Sequence, residues 1–233
     1  MPSRISGLWC IVPAAGRGSR FGSVIPKQHV MIGEHSLLGW TLRALAASPR
    51  IIGLVVVVAA GDEQWKSSVG DLSGVQLRSA TGGDSRADSV LAGLHALPER
   101  VAADDFVLVH DAARPCIHVD DIDTLIDRAS HAGGGLLAAP LRDTLKRADS
   151  DGYVLMTEPR ESRWRALTPQ MFRRAALTGA LQDARDTGEV MTDEAMAMER
   201  TDHRPLLVEG RDDNIKVTTP ADYQLAAFLL GQR

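Results

Sequence analysis

The chain has 233 residues, with 26 Lys and Arg against 30 Asp and Glu, a net charge of −4. That balance argues against a protein that coats nucleic acid, which needs a basic surface, and 44% hydrophobic with 24% charged residues argues against a disordered chain. At about 150 residues per domain, the length suits one domain over residues 1–233 with room for a small appendage. The longest apolar run, residues 51–60, is about half of a membrane span. One Arg and a short apolar stretch cut by Pro13 make no secretory signal. Cys10 and Cys116 stand far apart in no CxxC pair, which speaks against a zinc or disulfide framework and suits a reducing cytoplasm.

Residues 8–12 read as a buried strand ending at Pro13, followed by a glycine-rich loop. Ser36 caps a helix whose apolar face is Leu37, Leu38, Leu42 and Leu45, stopped by Pro49. Residues 54–59 are apolar without alternation, the pattern of a parallel strand covered on both faces. A helix over 62–69, a strand over 75–79 and a helix opened by loop 81–85 and reaching about residue 97 come next. A strand over 106–110 leads into Asp111-Ala112-Ala113-Arg114-Pro115. A helix over 121–132 then ends at the glycines 133–135, and 136–140 returns as a strand. Alternating strands and helices predict an α/β fold with a mostly parallel sheet and right-handed crossovers.

Residues 144–160 break the rhythm. Two short extended runs, 144–148 and 153–158, flank Asp149-Ser150-Asp151-Gly152 and read as a β-hairpin. An isolated hairpin is marginal in water, so this arm, bounded at 141–163, needs a partner surface, for which a second subunit is a candidate. Thr168-Pro169 has the cap-then-proline form of a helix start, predicting a helix to about residue 185. Thr192 is expected to cap a short helix, 206–209 reads as a strand, and Thr219-Pro220 starts the last helix.

The loop Pro13-Ala14-Ala15-Gly16-Arg17-Gly18-Ser19-Arg20-Phe21-Gly22 leaves the carboxyl end of the first strand, where open α/β sheets bind ligands. Its glycines let amides turn toward an anion, and Arg17, Arg20 and Lys27 add positive charge, together describing a polyphosphate cradle. The dinucleotide fingerprint fails because Phe21 stands where its third glycine belongs, and no GxxxxGK[ST] loop is present.

Here the chain resembles the 2-C-methyl-D-erythritol 4-phosphate cytidylyltransferases. The resemblance runs from about residue 11 to 222. It rests on the loop just quoted with Pro26-Lys27-Gln28, on Gly82-Gly83-Asp84-x-Arg86-x-x-Ser89-Val90, and on His110-Asp111-Ala112-Ala113-Arg114-Pro115. Asp143-Thr144-Leu145-Lys146, Thr168-Pro169-Gln170, Thr192-Asp193-Glu194-Ala195 and Asn214-Ile215-Lys216 complete it. It implies a Rossmann-like, glycosyltransferase-A-like nucleotidyltransferase fold with a mostly parallel sheet flanked by helices and a projecting arm. The implied reaction is CTP plus methylerythritol phosphate giving CDP-methylerythritol and pyrophosphate with Mg²⁺, in non-mevalonate isoprenoid synthesis. A homodimer with interlocking arms and a single activity are implied too.

The resemblance gives the residues expected roles. Pro13, Ala14, Ala15, Gly16 and Gly18 cradle the nucleotide, while Arg20 and Lys27 stabilise the transition state at the α-phosphate and the leaving pyrophosphate. A lone lysine is ordinarily a solvated surface charge, but Pro26 before Lys27 and the glycine loop behind it argue otherwise. Gly83, Asp84 and Ser89 read the base. Arg86 fixes that loop or touches phosphate, or makes a helix-start ion pair. Asp111, at the end of a buried strand, is the expected Mg²⁺ ligand, since Mg²⁺ takes one or two carboxylates plus phosphate oxygens; a turn-capping role is its alternative. Strand alternation turns His110 away from Asp111, toward a structural role. Arg114 is expected near the methylerythritol substrate.

Lys216 and Arg160 are expected to hold the substrate phosphate, with Arg163 a competing guanidinium where the family has an apolar residue. Thr144, Thr168 and Thr192 donate hydrogen bonds to that substrate, the last two also standing where helix caps belong. Phe21 and His29 depart from the family as packing changes. Two rivals remain. One is a cytidylyltransferase acting on another polyol phosphate such as ribitol 5-phosphate, and the other is a non-catalytic nucleotide-binding module.

Overall fold

The computed structural model describes residues 7–16, 25–70, 72 and 74–232. In chain order, β1 (Leu8–Pro13) leads to a 3₁₀ turn at Lys27–His29, the two-residue strands β2 (Met31–Ile32) and β3 (His35–Ser36), and α1 (Leu37–Ala46). There follow β4 (Ile51–Val58), α2 (Gln64–Val69), β5 (Gln76–Thr81), α3 (Arg86–His95), β6 (Phe106–Val109), α4 (Val119–Ala132) and β7 (Gly134–Pro140). The arm strands are β8 (Leu145–Ala148) and β9 (Val154–Glu158). The chain ends with β10 (Trp164–Arg173), α5 (Arg174–Asp186), α6 (Glu194–Glu199), β11 (Leu206–Glu209) and α7 (Pro220–Gly231).

The central sheet has the order β11-β7-β10-β6-β1-β4-β5. Its pairs are parallel except that β10 runs antiparallel between β6 and β7. Successive side chains of a strand point to opposite faces, and β1 shows the result. Cys10 and Val12 join Leu54, Val56 and Leu108 under Leu38, Leu42 and Leu45 of α1 and Ile122, Leu125 and Ile126 of α4. Trp9 and Ile11 join Val55, Val57 and Val109 under Val90, Leu91 and Leu94 of α3 and Leu177 and Leu181 of α5. Both faces are covered, as the unalternating valines of β4 imply. At Gly53 a Cβ would fall 2.5 Å from the Trp9 ring, so the indole needs that bare backbone.

Several expected starts and stops hold. Ser36 Oγ accepts the Gly39 amide at 3.0 Å, Thr219 forms a capping box with Asp222 with Pro220 at the first turn, and Gly133 ends α4 in the left-handed region. The arm is a hairpin whose turn is held by Asp149 Oδ1, which accepts the amides of Asp151 and Tyr153.

Two expected helix starts are corrected. No helix begins at Thr168-Pro169: the segment is part of β10, its peptide bond cis, and α5 starts only at Arg174. β10 is zipped on both sides, and proline is accommodated where its pairing with β7 shifts register between Ala166 and Gln170. Thr192 does not cap α6. Asp193 does, its carboxylate accepting the Met196 amide at 2.9 Å.

Candidate active site

The carboxyl ends of β1, β4, β5 and β6 open onto one cavity of about 830 Å³. Its floor is Pro13, Ala14, Ala15 and Gly16. One wall is Gly82 to Arg86 with Ser89, and Asp111, Lys27 and Lys216 complete it. The walls come close because of Gly82, where a Cβ would lie 2.4 Å from the Ala15 Cβ and 2.8 Å from Ser89 Oγ. Ser85 starts α3 with a reciprocal capping box to Asp88, which aims the preceding backbone along the cavity.

Local contacts hold Lys27 in place. Gln28 is buried and its side-chain amide donates to the Ala14 carbonyl at 2.9 Å, tying the 3₁₀ turn to the floor. His29 pairs with Asp62 at 2.8 Å, so this departure from the family is anchored rather than merely tolerated. Lys27 Nζ donates to the Val217 carbonyl at 3.2 Å, next to Lys216. Both ammonium groups therefore line one cavity from different ends of the chain.

Asp111 is the hub. Its Oδ1 accepts from Arg86 Nε at 3.1 Å, and its Oδ2 from Lys216 Nζ at 2.9 Å and Arg114 Nε at 3.3 Å. Burial alone would raise its pKa, but Arg86, Lys216 and Arg114 outweigh it and hold the carboxyl well below the usual carboxylate range. Burial opposes the charge of Arg86, but Glu194 and then Asp111 keep it firmly protonated.

Behind the hub runs a fixed hydrogen-bond chain. The Asp111 amide donates to Thr168 Oγ1 at 3.1 Å, and the Thr168 hydroxyl donates to His110 Nδ1 at 3.0 Å. His110 Nε2 then donates to the Arg114 carbonyl at 3.0 Å. This polarity requires neutral imidazole, and burial pushes His110 down to about 4, the same conclusion. His110 is structural, as strand alternation indicated.

Among the described residues no group of three or more His, Cys, Asp or Glu could hold a metal, and no helix is long and apolar enough to cross a membrane. The arrangement suits an anion: a glycine-lined floor at the carboxyl edge of a parallel sheet, with Lys27, Arg86 and Lys216 facing in.

The family model for 2-C-methyl-D-erythritol 4-phosphate cytidylyltransferase matches residues 8–232. The chain belongs to the 2-C-methyl-D-erythritol 4-phosphate cytidylyltransferase family. A relative of that name from Xylella fastidiosa (strain M23) is 54% identical over 228 residues, 97% of this chain and 98% of the relative. One from Stenotrophomonas maltophilia (strain K279a) is 53% identical, with 98% of each chain covered. The crystal structure of the Francisella tularensis 2-C-methyl-D-erythritol 4-phosphate cytidylyltransferase superposes with a TM-score of 0.82 at 32% identity, covering 96% of this chain and all of that one.

Of the residues that cytidylyltransferase resemblance singled out, the cavity gathers Pro13, Ala14, Ala15, Gly16, Lys27, Gly83, Asp84, Arg86, Ser89, Asp111 and Lys216. Gly18 and Arg20 lie outside the described residues. Arg114 contacts Asp111 and also donates to the Asn214 carbonyl at 2.8 Å. The Thr168 proton is committed to His110. Thr144 and Arg160 are exposed on the arm, Arg160 donating to the Arg142 carbonyl, and Thr192 is exposed beside Met196. None of these five lines the cavity formed by the described residues. Gln28, Gln170, Glu194 and Asn214 carried no expected role, although each stands inside a quoted motif. Their only sequence signal is being polar beside residues with expected roles.

Proposed function

We infer that the chain transfers the cytidylyl group of CTP to 2-C-methyl-D-erythritol 4-phosphate, giving CDP-methylerythritol and pyrophosphate. The observation that carries this is the convergence of Lys27, Arg86 and Lys216 on one cavity, within the size range of ligand pockets. A phosphate monoester oxygen attacks the α-phosphorus of CTP in line. One phosphorus–oxygen bond forms, the α–β bridge breaks, and pyrophosphate leaves. Two unit charges 4 Å apart repel by about 4 kcal/mol at an effective dielectric of about 20, and two polyanions repel more. Fixed cations must therefore assemble before chemistry begins. The attacking phosphate is largely ionised at neutral pH, so no general base is needed, which fits a His110 locked away in structure.

In this reading Lys27, with Arg20, stabilises charge at the α-phosphate and the leaving group. Lys216 holds the attacking phosphate, and the bare backbone at Gly83 with Asp84 and Ser89 accommodates cytosine. Asp111 accepts from three cations, leaving about one carboxylate lone pair free. A Mg²⁺ ion there would take Asp111 as one ligand and the rest from nucleotide phosphates and water. Such an ion would supply charge neutralisation.

The arm leads to a second proposal: two copies pair through it. Tyr153, Val154, Leu155 and Met156 are 74%, 62%, 60% and 43% exposed, an apolar stretch on a hairpin too small to stand alone. Pairing would also give Arg160 and Thr144, which do not line their own cavity, a route to the partner's cavity and its methylerythritol phosphate. Thr192 would reach it from its own side. Cys10 and Cys116 are buried thiols joined in no disulfide, which suits a reducing cytoplasm.

The test is pyrophosphate release from CTP with methylerythritol phosphate, against ribitol 5-phosphate as control. Rapid release with the first substrate alone is expected; preference for ribitol 5-phosphate, or no release with either, contradicts the reading.

A further inference from the structure

Glu194 is completely buried and lies outside the cavity lining, yet it holds one of the cavity's cations. Its two carboxylate oxygens accept from Arg86 Nη1 at 2.6 Å and Nη2 at 3.1 Å. Arg86 uses its remaining edge, Nε, on Asp111. A guanidinium gripped by both terminal nitrogens has its plane fixed, which a single contact would not achieve. Glu194 is itself fixed through β10. The Gln170 side chain accepts the Ala195 amide at 2.8 Å through Oε1 and donates to Asp193 Oδ2 at 3.0 Å through Nε2. Four separated stretches of sequence thus meet in one line, from Gln170 through Glu194 and Arg86 to Asp111. Burial pushes the Glu194 carboxyl upward while Arg86 pulls it down, so a carboxylate in this place is costly without its guanidinium partner.

We propose that Glu194, clamped by Gln170, is a positioning residue that orients Arg86 against Asp111 and the nucleotide cavity. It touches no reacting atom in this account; it acts through Arg86. Without it Arg86 keeps its charge but loses its fixed plane, and Asp111 loses the neighbour that sets where its Oδ1 is held. The proposal rests on the cytidylyl-transfer reading.

The experiment is a double-mutant cycle on the full chain, reading pyrophosphate release from CTP and methylerythritol phosphate together with the melting temperature. Glu194→Gln and Arg86→Gln are each expected to lower kcat/KM by about tenfold or more, the scale seen when a supporting partner of a site residue is removed. The double variant should be no worse than Arg86→Gln alone, because a residue acting only through Arg86 has nothing left to act on. Arg86→Lys retains the charge but not the fork and should show the same loss of kcat/KM in a protein that still folds cooperatively, its melting temperature lowered less than in Arg86→Gln. It decides the matter if Glu194→Gln fails to fold. Glu194→Gln within about twofold of wild type, losses that multiply in the double variant, or a fully active Arg86→Lys each overturn the proposal. A wild type that releases no pyrophosphate overturns the functional reading and this proposal together. An active wild type with an indifferent Glu194→Gln overturns this proposal alone.

Discussion

Replacing Asp111 by Asn removes one charge and keeps the side chain's shape. Arg86 Nε, Lys216 Nζ and Arg114 Nε, now 3.1, 2.9 and 3.3 Å from carboxylate oxygens, would then surround a neutral amide. Removing one member of a buried ion pair costs about 3–5 kcal/mol. Lys216 is 42% exposed and relaxes into water, so its share is small. Arg86 keeps Glu194, while Arg114, 10% exposed, retains the Asn214 carbonyl. The low end, about 3 kcal/mol, is therefore expected. For a chain of this size that lowers Tm by about 6–12 °C. Thermal denaturation at pH 7 and low salt reads it directly. Added pyrophosphate should recover more of the loss in Asp111→Asn than it adds to wild type, because the anion restores the missing negative charge. A variant melting within about 2 °C of wild type would refute the hub.

Lys27→Ala should lower kcat by about 10²-fold or more, about 2.7 kcal/mol, at near-native Tm; near-normal turnover contradicts its role. His110 titrates at about 4 in the fold against an ordinary 6.5. The unfolded chain therefore binds the proton first on acidification. The His110 contribution is complete above pH 6.5 and is lost as pH falls toward 4, a span worth about 3 kcal/mol that urea titrations between pH 7 and 4 would measure. A flat stability profile over that window would contradict a buried neutral imidazole. Leu155→Glu on the arm should shift sedimentation from dimer to monomer, and an unchanged sedimentation coefficient would remove the arm from the interface. Mixing Lys27→Ala with Arg160→Ala protein should regain activity that neither has alone if Arg160 serves the partner's cavity. No regain would count against that crossing.

Much of the layout was legible because it is written in short-range chemistry. The apolar stretch ending at Pro13, the valines of β4, the Ser36 and Thr219 caps and the Asp149–Gly152 turn each state their own conformation within a few residues. Thr168-Pro169 misled for the same reason. Its local form is a helix start, but pairing with β6 on one side and β7 on the other overrides it. Thr192 and Asp193 are adjacent cap-type residues, and only the extended backbone at Asp193, with φ −153°, decides which one caps α6. The cavity was legible as a set of motifs, whereas the contacts joining them were not. Arg86 and Glu194 stand 108 positions apart, and no spacing rule predicts such a pair. Likewise the guanidinium of Arg114 joins Asp111 to the Asn214 carbonyl, 100 positions away, a contact that no motif spells out.

The most direct measurement is a crystal structure of the wild-type chain with CTP. The triphosphate is expected above Ala14–Gly16, with Lys27 within hydrogen-bond reach of phosphate oxygens, the cytosine against Gly83 and Ser89, and Lys216 left facing the place from which a second phosphate attacks. A nucleotide bound elsewhere, or a triphosphate remote from Lys27, would contradict it.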